Sequence, residues 1–254
     1  VTSPAGQITP GALLNGRVRY DQFAHGYRTG IEPVILAAAV QARAGDQVLE
    51  AGSGAGAGLL CLSWRVPGVI GLGVEQDAAL VALARANARA NGWAESLTFH
   101  CAAIEAFRPG RMFDHAFANP PWHAAKATPS PDPARDRAKR AGAGLLRAWA
   151  GALTALVRPR GTVALILPAG LVDAAILALS ESGCGSFRLV PLWPRAGVAA
   201  KRAVLIGRRG GRGAMALSAG LALHAPASGF TPAADHILRD GHALACEPEP
   251  PRRS

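Results

Sequence analysis

Gln47-Val48-Leu49-Glu50-Ala51-Gly52-Ser53-Gly54-Ala55-Gly56-Ala57-Gly58 is the stretch that decides the fold of this chain. An apolar run closing on an acid, a glycine-rich turn and a helical pattern through Leu59, Leu60 and Leu62 read as strand, turn and helix. Glycine lets a backbone approach a ligand closely, and the start of a helix offers free N–H groups. The spacing G-x-G-x-G is one position short of the dinucleotide fingerprint G-x-G-x-x-G. Glu75 follows about twenty residues on, at the end of a second apolar run, Val69 to Val74, where a carboxylate can accept both hydroxyls of a ribose. By itself the pattern also fits a tight βα turn with a surface glutamate.

Outward from this turn, strand-like and helical runs alternate, as parallel strands with crossover helices require. A helix starts near Pro33, runs through Val34 to Val40 and ends before Gly45. The helix Ala78 to Asn91, closed by Gly92, leads to a third strand at Leu97 to His100, and the fourth is Asp114 to Ala118. A Pro-rich stretch, Pro129 to Pro133, and a basic helical segment precede a fifth strand at Thr162 to Leu167 and a helix at Leu171 to Ser182. Phe187 to Leu192 and Arg202 to Ile206 are expected to pair as an antiparallel edge. A strand at Leu217 to His224, a short helix at Pro232 to Arg239 and a disorder-prone end from Glu247 to Ser254 complete the pattern. The expected fold is α/β: a doubly wound, mostly parallel, seven-stranded sheet with an antiparallel edge strand. Residues 1–44 read as an N-terminal segment, 45–210 as the core and 211–254 as a C-terminal extension.

Asn119-Pro120-Pro121-Trp122 closes the fourth strand. Two successive prolines fix their φ angles and supply no backbone donors, so this turn can present an amide oxygen, carbonyls and an aromatic plate to one ligand. That set suits chemistry on a planar amino group. In a doubly wound sheet the first and fourth strands are neighbours where the strand order reverses, and ligands bind beyond the carboxyl ends there. The glycine turn and the Asn-Pro-Pro-Trp turn are therefore expected to meet. Taken alone, Asn119 could cap the turn and Trp122 could be a core aromatic. His100, His115 and His123 have no ligand-like partners in sequence and read as surface or packing residues.

With 254 residues, half of them hydrophobic, the chain can bury a full core. Lys and Arg number 27 against 17 acids, a formal charge of +10 that favours polyanionic partners, although arginines that merely solvate the surface give the same count. Cys61, Cys101, Cys184 and Cys246 are far apart and form no C-x-x-C pair, so neither a disulfide framework nor a metal site is expected. No run is long and apolar enough to span a membrane, and Val1-Thr2-Ser3-Pro4 does not start a signal peptide. A monomer in the cytoplasm, without membrane contact, is the expectation.

The glycine turn, Glu75 and Asn119-Pro120-Pro121-Trp122 together resemble the S-adenosylmethionine-dependent methyltransferases of the N-P-P-[YFW] amino-methylating branch. Asp21-Gln22-Phe23 to Gly26-Tyr27-Arg28-Thr29-Gly30-Ile31-Glu32, Pro129 to Pro133, and Pro194-Arg195-Ala196-Gly197 to Ala200-Lys201-Arg202 are similar to the family of tRNA adenine-N6 methyltransferases that act beside the anticodon of valine tRNA. The resemblance spans most of the chain. It implies a Rossmann-like methyltransferase fold and S-adenosylmethionine held by Glu50, Gly52, Gly54, Gly56, Glu75, Gln76, Ala103 and Asn119. It also implies that the Tyr27 to Glu32 segment, with Thr29 and Gly30, lies near the methionine end. Two positions depart from the family. His100-Cys101-Ala102-Ala103-Ile104 stands where relatives often carry an acid for the adenine amino group, and Trp122 stands where Tyr or Phe is commoner.

The implied acceptor is an adenine N6 in tRNA, with Asn119, Pro120, Pro121 and Trp122 as catalytic residues. Arg135, Arg137, Lys139, Arg140, Lys201 and Arg202 are the candidate phosphate contacts. Methylation of a protein glutamine poses the same electronic problem and uses a closely similar motif. That branch carries a helical domain before the glycine turn, which here begins at Gly52. A DNA methylase would need a target-recognition domain that the sequence does not show. An inactive RNA-binding module is the reading from a different class.

Overall fold

The computed structural model describes residues 6–26, 28–121 and 133–245, with side chains throughout except over 133–143. The central sheet has seven long strands: β1 (Gln47–Ala51), β2 (Ile70–Glu75), β3 (Leu97–Cys101), β4 (Phe113–Ala118), β5 (Val157–Pro168), β6 (Cys184–Trp193) and β7 (Arg202–Arg209). Their order is β6-β7-β5-β4-β1-β2-β3. The pairs from β5 to β3 are parallel, and β7 is antiparallel to both β5 and β6. Two further strands of two residues, β8 (Ala216–Leu217) and β9 (Leu221–Ala222), lie outside β6 and parallel to it.

The doubly wound, mostly parallel sheet and the antiparallel pair are those expected, with a refinement at the edge. β7 is an interior strand between β5 and β6. Its run Ala203-Val204-Leu205 is fully buried, the continuous apolar signature of a strand covered on both faces. β5 also starts at Val157 rather than Thr162. Pro159 and Gly161 read as punctuation in the sequence, but the ladder crosses them through a register shift, with Arg160 at φ 70 and Gly161 where a Cβ would lie 2.5 Å from the Asp114 carbonyl.

Among the described residues six helices cover the sheet: α1 (Glu32–Ala39), α2 (Ala57–Arg65), α3 (Ala78–Ala90), α4 (Pro133–Leu156), α5 (Val172–Glu181) and α6 (Pro232–Leu238). Residues of α1, α2, α3 and α6 share one apolar cluster, and those of α4, α5 and the 3-10 turn Ile104–Ala106 share the other. Strand residues alternate between the two. Val48 and Phe117 join the first cluster, while Leu49, Ala51, Ala116 and Ala118 join the second. β2 is thinned on the first face, because a Cβ at Gly73 would stand 2.4 Å from the Phe99 ring.

The ends of the described chain pack into this frame. Residues 8–23 form a nested antiparallel hairpin, pairing Ile8 with Phe23 and Leu13 with Val18. The single strand expected at Leu217 to His224 is broken into β8 and β9 around Gly220, whose φ of 86° turns the chain against the Pro191 carbonyl. Ala234, Ile237 and Leu244 lie in the same core cluster as α1, and the Leu244 N–H donates to the Ala38 carbonyl at 2.9 Å. Glu247 to Ser254, expected to be disorder-prone, lies outside the described residues.

At the amino ends of the strands, away from the glycine turn, the His115 ring lies between Thr162 Oγ1 (2.7 Å) and Asp46 Oδ2 (3.3 Å). Burial holds this imidazole below its ordinary value of 6.5; the charges of Asp46 and Asp114 offset part of that effect, and Arg208 adds to it. The unfolded chain therefore takes up the proton more readily than the folded one. The stabilisation is complete above 6.5 and is lost as the pH falls below it. His115→Gln is expected to show a smaller loss of stability than the unsubstituted protein between about pH 7 and pH 5 in equilibrium urea unfolding; equal losses would remove His115 as the cause.

Candidate active site

β1 carries Glu50 and Ala51 to the glycine turn, where Gly52, Gly54 and Gly56 have φ of 66°, 52° and 92°. These are left-handed values that other residues seldom adopt. The N–H groups of Gly52 and Ser53 both donate to the Val74 carbonyl, at 2.8 and 3.2 Å, which ties the turn to the end of β2. A Cβ at Gly52 would meet the Trp149 ring at 3.0 Å, and one at Gly56 would meet Phe99 at 3.1 Å. Gly54 has open space at the same position, so the turn presents bare backbone to the exterior there.

Two carboxylates serve the turn differently. Glu75, half-buried at the end of β2, accepts from the Gly54 N–H through Oε2 and from the Asp77 N–H through Oε1, both at 3.0 Å. Asp77 in turn caps α3, accepting from Ala79 and Leu80. Glu50 is only 6% exposed and lies beneath the turn, accepting the Leu59 N–H in the first turn of α2 at 2.9 Å. Burial pushes its carboxyl up to about 8, opposed by the Leu59 hydrogen bond and assisted by the charge of Glu75. Near neutral pH this acid is protonated, and it supports the turn from below.

The Asn119-Pro120-Pro121 turn leaves the sheet beside the glycine turn, because Ala118 of β4 pairs with Ala51 of β1. The next residues on the two strands are Asn119 and Gly52. Asn119 is half-buried, Pro120 buried and Pro121 exposed; among the described residues, the Asn119 side chain has no hydrogen-bond partner. Trp122 lies outside the described residues. Ala103 is exposed just beyond β3 and brings no carboxylate to the rim. The neighbouring Ala102 N–H donates to the Glu75 carbonyl (2.9 Å), and the Cys101 thiol donates to the carbonyl of the exposed Gln76 (3.5 Å).

The N-terminal segment reaches the same end of the sheet. Thr29 donates its N–H to Gln22 Oε1 (3.3 Å) and shares a hydrogen bond with the Tyr20 hydroxyl (2.6 Å). A Cβ at Gly30 would stand 2.4 Å from Glu32 Oε2. Glu32 Oε1 pairs with Arg202 Nε at 3.0 Å, joining the 21–32 and 194–202 segments that the sequence marks separately. Arg202 is thus held in an ion pair, whereas Lys201 is exposed. Arg135, Arg137, Lys139 and Arg140 lie on α4, with side chains outside the described residues. Among the described residues, no group of His, Cys, Asp and Glu is arranged to hold a metal ion.

Residues 31–135 match the family model of the methyltransferase small domain. The tRNA1(Val) (adenine(37)-N6)-methyltransferase of Aeromonas hydrophila is 30% identical over 187 residues, covering 73% of this chain and 77% of the relative. The chain belongs to the tRNA adenine-N6 methyltransferase family. A second member, from Actinobacillus succinogenes, is 30% identical over 145 residues, 56% of this chain and 61% of its own. In fold, the methyltransferase is similar to a predicted O-methyltransferase from Agrobacterium tumefaciens, with a TM-score of 0.69 at 22% identity over 83% of this chain and 96% of that one. An O-methyltransferase from Thermotoga maritima aligns with a TM-score of 0.54 at 16% identity, over 75% and 69% of the two chains.

The family's cofactor is S-adenosylmethionine, and the residues present fit it. Open backbone at Gly54 and a half-buried carboxylate at Glu75 offer a close approach and an acceptor pair for ribose hydroxyls. Asn87, missed in the sequence, adds a buried amide behind this turn. Its signal was an asparagine inside an otherwise apolar stripe of α3, where such residues are disfavoured unless they bond to backbone.

Glu50 gives the site a pH signature. The folded chain keeps a proton that the unfolded chain releases near 4.5, so this contribution to stability is complete below 4.5 and lost as the pH rises through about 8. Glu50→Gln is expected to remove that alkaline loss in urea unfolding between about pH 6 and pH 9. An unchanged profile would mean that Glu50 ionises in the folded state as readily as in the unfolded one.

Proposed function

We propose that this methyltransferase moves the methyl group of S-adenosylmethionine to N6 of an adenine beside the anticodon of a tRNA, acting as a monomer in the cytoplasm. The observation that carries this reading is the register of β1 and β4, which sets Asn119 next to Gly52. An amide free of described partners thereby stands at the end of the sheet that carries the glycine turn. The names of the relatives support adenine in tRNA as the acceptor, and the charge of +10 suits a polyanion.

When bound, S-adenosylmethionine supplies an electrophilic methyl group on a sulfonium. The adenine amino nitrogen is a poor nucleophile because its lone pair is delocalised into the ring. Asn119 Oδ1 and the Pro120 carbonyl accept its two N–H bonds and favour a tetrahedral nitrogen over a planar one. Their hold strengthens as positive charge grows on that nitrogen, so they stabilise the transition state more than the ground state. With the nitrogen so held by Asn119 and Pro120, transfer would join it to the methyl carbon as the carbon–sulfur bond of the bound cofactor breaks. The methylated nitrogen then loses a proton to water, and no strong base is required of the chain. Trp122 stacks on the extruded base, an interaction worth about 1–3 kcal/mol. Arg135, Arg137, Lys139, Arg140 and Lys201 meet the phosphates, and Arg202 takes part through its pair with Glu32.

Asn119→Ala is expected to lower methyl transfer by at least about a hundredfold while S-adenosylmethionine affinity stays within about twofold. Parallel loss of cofactor affinity, measured by calorimetry, would sink the assignment to the acceptor. Nucleoside mass spectrometry of tRNA incubated with the protein and labelled cofactor should yield N6-methyladenosine, and label in protein glutamine instead would overturn the tRNA reading. Binding of tRNA should weaken steeply with added salt, in proportion to the phosphates neutralised; salt-insensitive affinity would argue against the basic residues as contacts.

A further inference from the structure

Helix α3 starts at the ribose acid and ends against the N-terminal segment. At its start, the backbone of its cap Asp77 is bonded to Glu75 Oε1. Three turns later Asn87, 2% exposed, uses its whole amide. Its Nδ2 donates to the carbonyl of Ala55 in the glycine turn (3.0 Å) and to that of Asp21 (3.0 Å), while its Oδ1 accepts the Asp21 N–H (2.9 Å). Asn91 repeats the arrangement one turn on, accepting the Arg19 N–H at 2.9 Å and donating to the Arg19 carbonyl at 2.8 Å.

The two spacings match. Residues four apart on a helix are about 6 Å apart along its axis, and alternate residues of an extended strand are about 6.6 Å apart. Two asparagines at i and i+4 can therefore pair with residues 19 and 21 as a neighbouring strand would, exchanging both backbone bonds at each. The constraint passes onward, because Tyr20 and Gln22 hold Thr29. A chain of bonds thus runs from the glycine turn through Asn87 to the Thr29-Gly30 segment.

We propose that Asn87 is a positioning residue that locks the N-terminal segment to the glycine turn, so that the cofactor meets one preformed site instead of two independently moving walls. The inference rests on the family's cofactor lying against the glycine turn and is independent of which acceptor is methylated. Losing the amide leaves the Ala55 and Asp21 backbone groups without their partner in a half-dry setting, and the bonds cannot be replaced by alanine. Pre-organisation is lost, and affinity falls with it.

The test is calorimetric titration of S-adenosylmethionine, without tRNA, into the full chain and its Asn87→Ala and Asn91→Ala variants, together with amide hydrogen exchange. The expected result for Asn87→Ala is about a tenfold weaker affinity, with faster exchange confined to residues 19–24 and 28–30. Asn91→Ala, which leaves the buried amide in place, should move both readings in the same direction by less. Phe113→Leu, at the opposite end of the sheet, serves as a stability control and should leave affinity unchanged. Affinity within twofold of the parent in folded Asn87→Ala would overturn the proposal. So would faster exchange across the whole sheet, or equal loss of affinity in Phe113→Leu, since either marks a general loosening of the fold. If Asn87→Ala does not fold, Asn91→Ala decides alone: unchanged affinity and unchanged exchange at 19–24 overturn the proposal. Absence of methylated adenosine in tRNA would sink the acceptor assignment and leave this result standing.

Discussion

Ala51 lies beside Ala118 in the parallel ladder of β1 and β4, and the active site depends on that pairing. Both residues are fully buried and face the α4–α5 side, so the register cannot slip by one without turning either Leu49 and Ala51 or Ala116 and Ala118 to the other face. The apolar core thereby fixes where the two strands end. Gly52 and Asn119 each follow the last paired residue of their strand, one opening a backbone turn with left-handed geometry and the other starting a proline-locked turn. The ends of the two turns are thus set by the packing of four small and apolar side chains.

Around this pairing the same residue type takes opposite roles according to its surroundings. Glu50 and Glu75 both end strands next to the glycine turn. Glu50 is dry and neutral near pH 7, and it satisfies a backbone donor at the start of α2 that would otherwise be left unpaired. Glu75 is half-buried and holds the turn and the start of α3 through backbone N–H groups. Arg202 and Lys201 diverge in the same way. The first is fixed against Glu32, and the second is free in solvent. A basic residue in a chain of net charge +10 is thus not automatically a contact for a polyanion; its neighbours in space decide.

Much of the site was legible because its signals are local. Positive φ at Gly52, Gly54 and Gly56 is a property that only glycine supplies readily, and Asn119-Pro120-Pro121 constrains its own backbone, so both turns announce themselves within a few residues. The positions of the seven long strands followed from periodicity, since each contains the apolar run that marks it. Where the reading missed, a contact distant in sequence was responsible. β7 is interior because β6 pairs on its far side, and β5 continues across Pro159 and Gly161 because β4 accommodates a bulge there.

The sequence by itself determined the alternation of strands and helices, the glycine turn, the acid about twenty residues beyond it and the Asn-Pro-Pro turn, since each is encoded by side chains adjacent in the chain. Tertiary structure alone decided that Glu32 meets Arg202, that Glu50 sits beneath the turn in protonated form and that Asn87 binds Ala55 and Asp21 together. Those pairings join residues 32 to 170 positions apart or depend on the exclusion of water around one group. Neither separation nor dielectric surroundings is written in a local pattern; both come into being when the two faces of the sheet are covered.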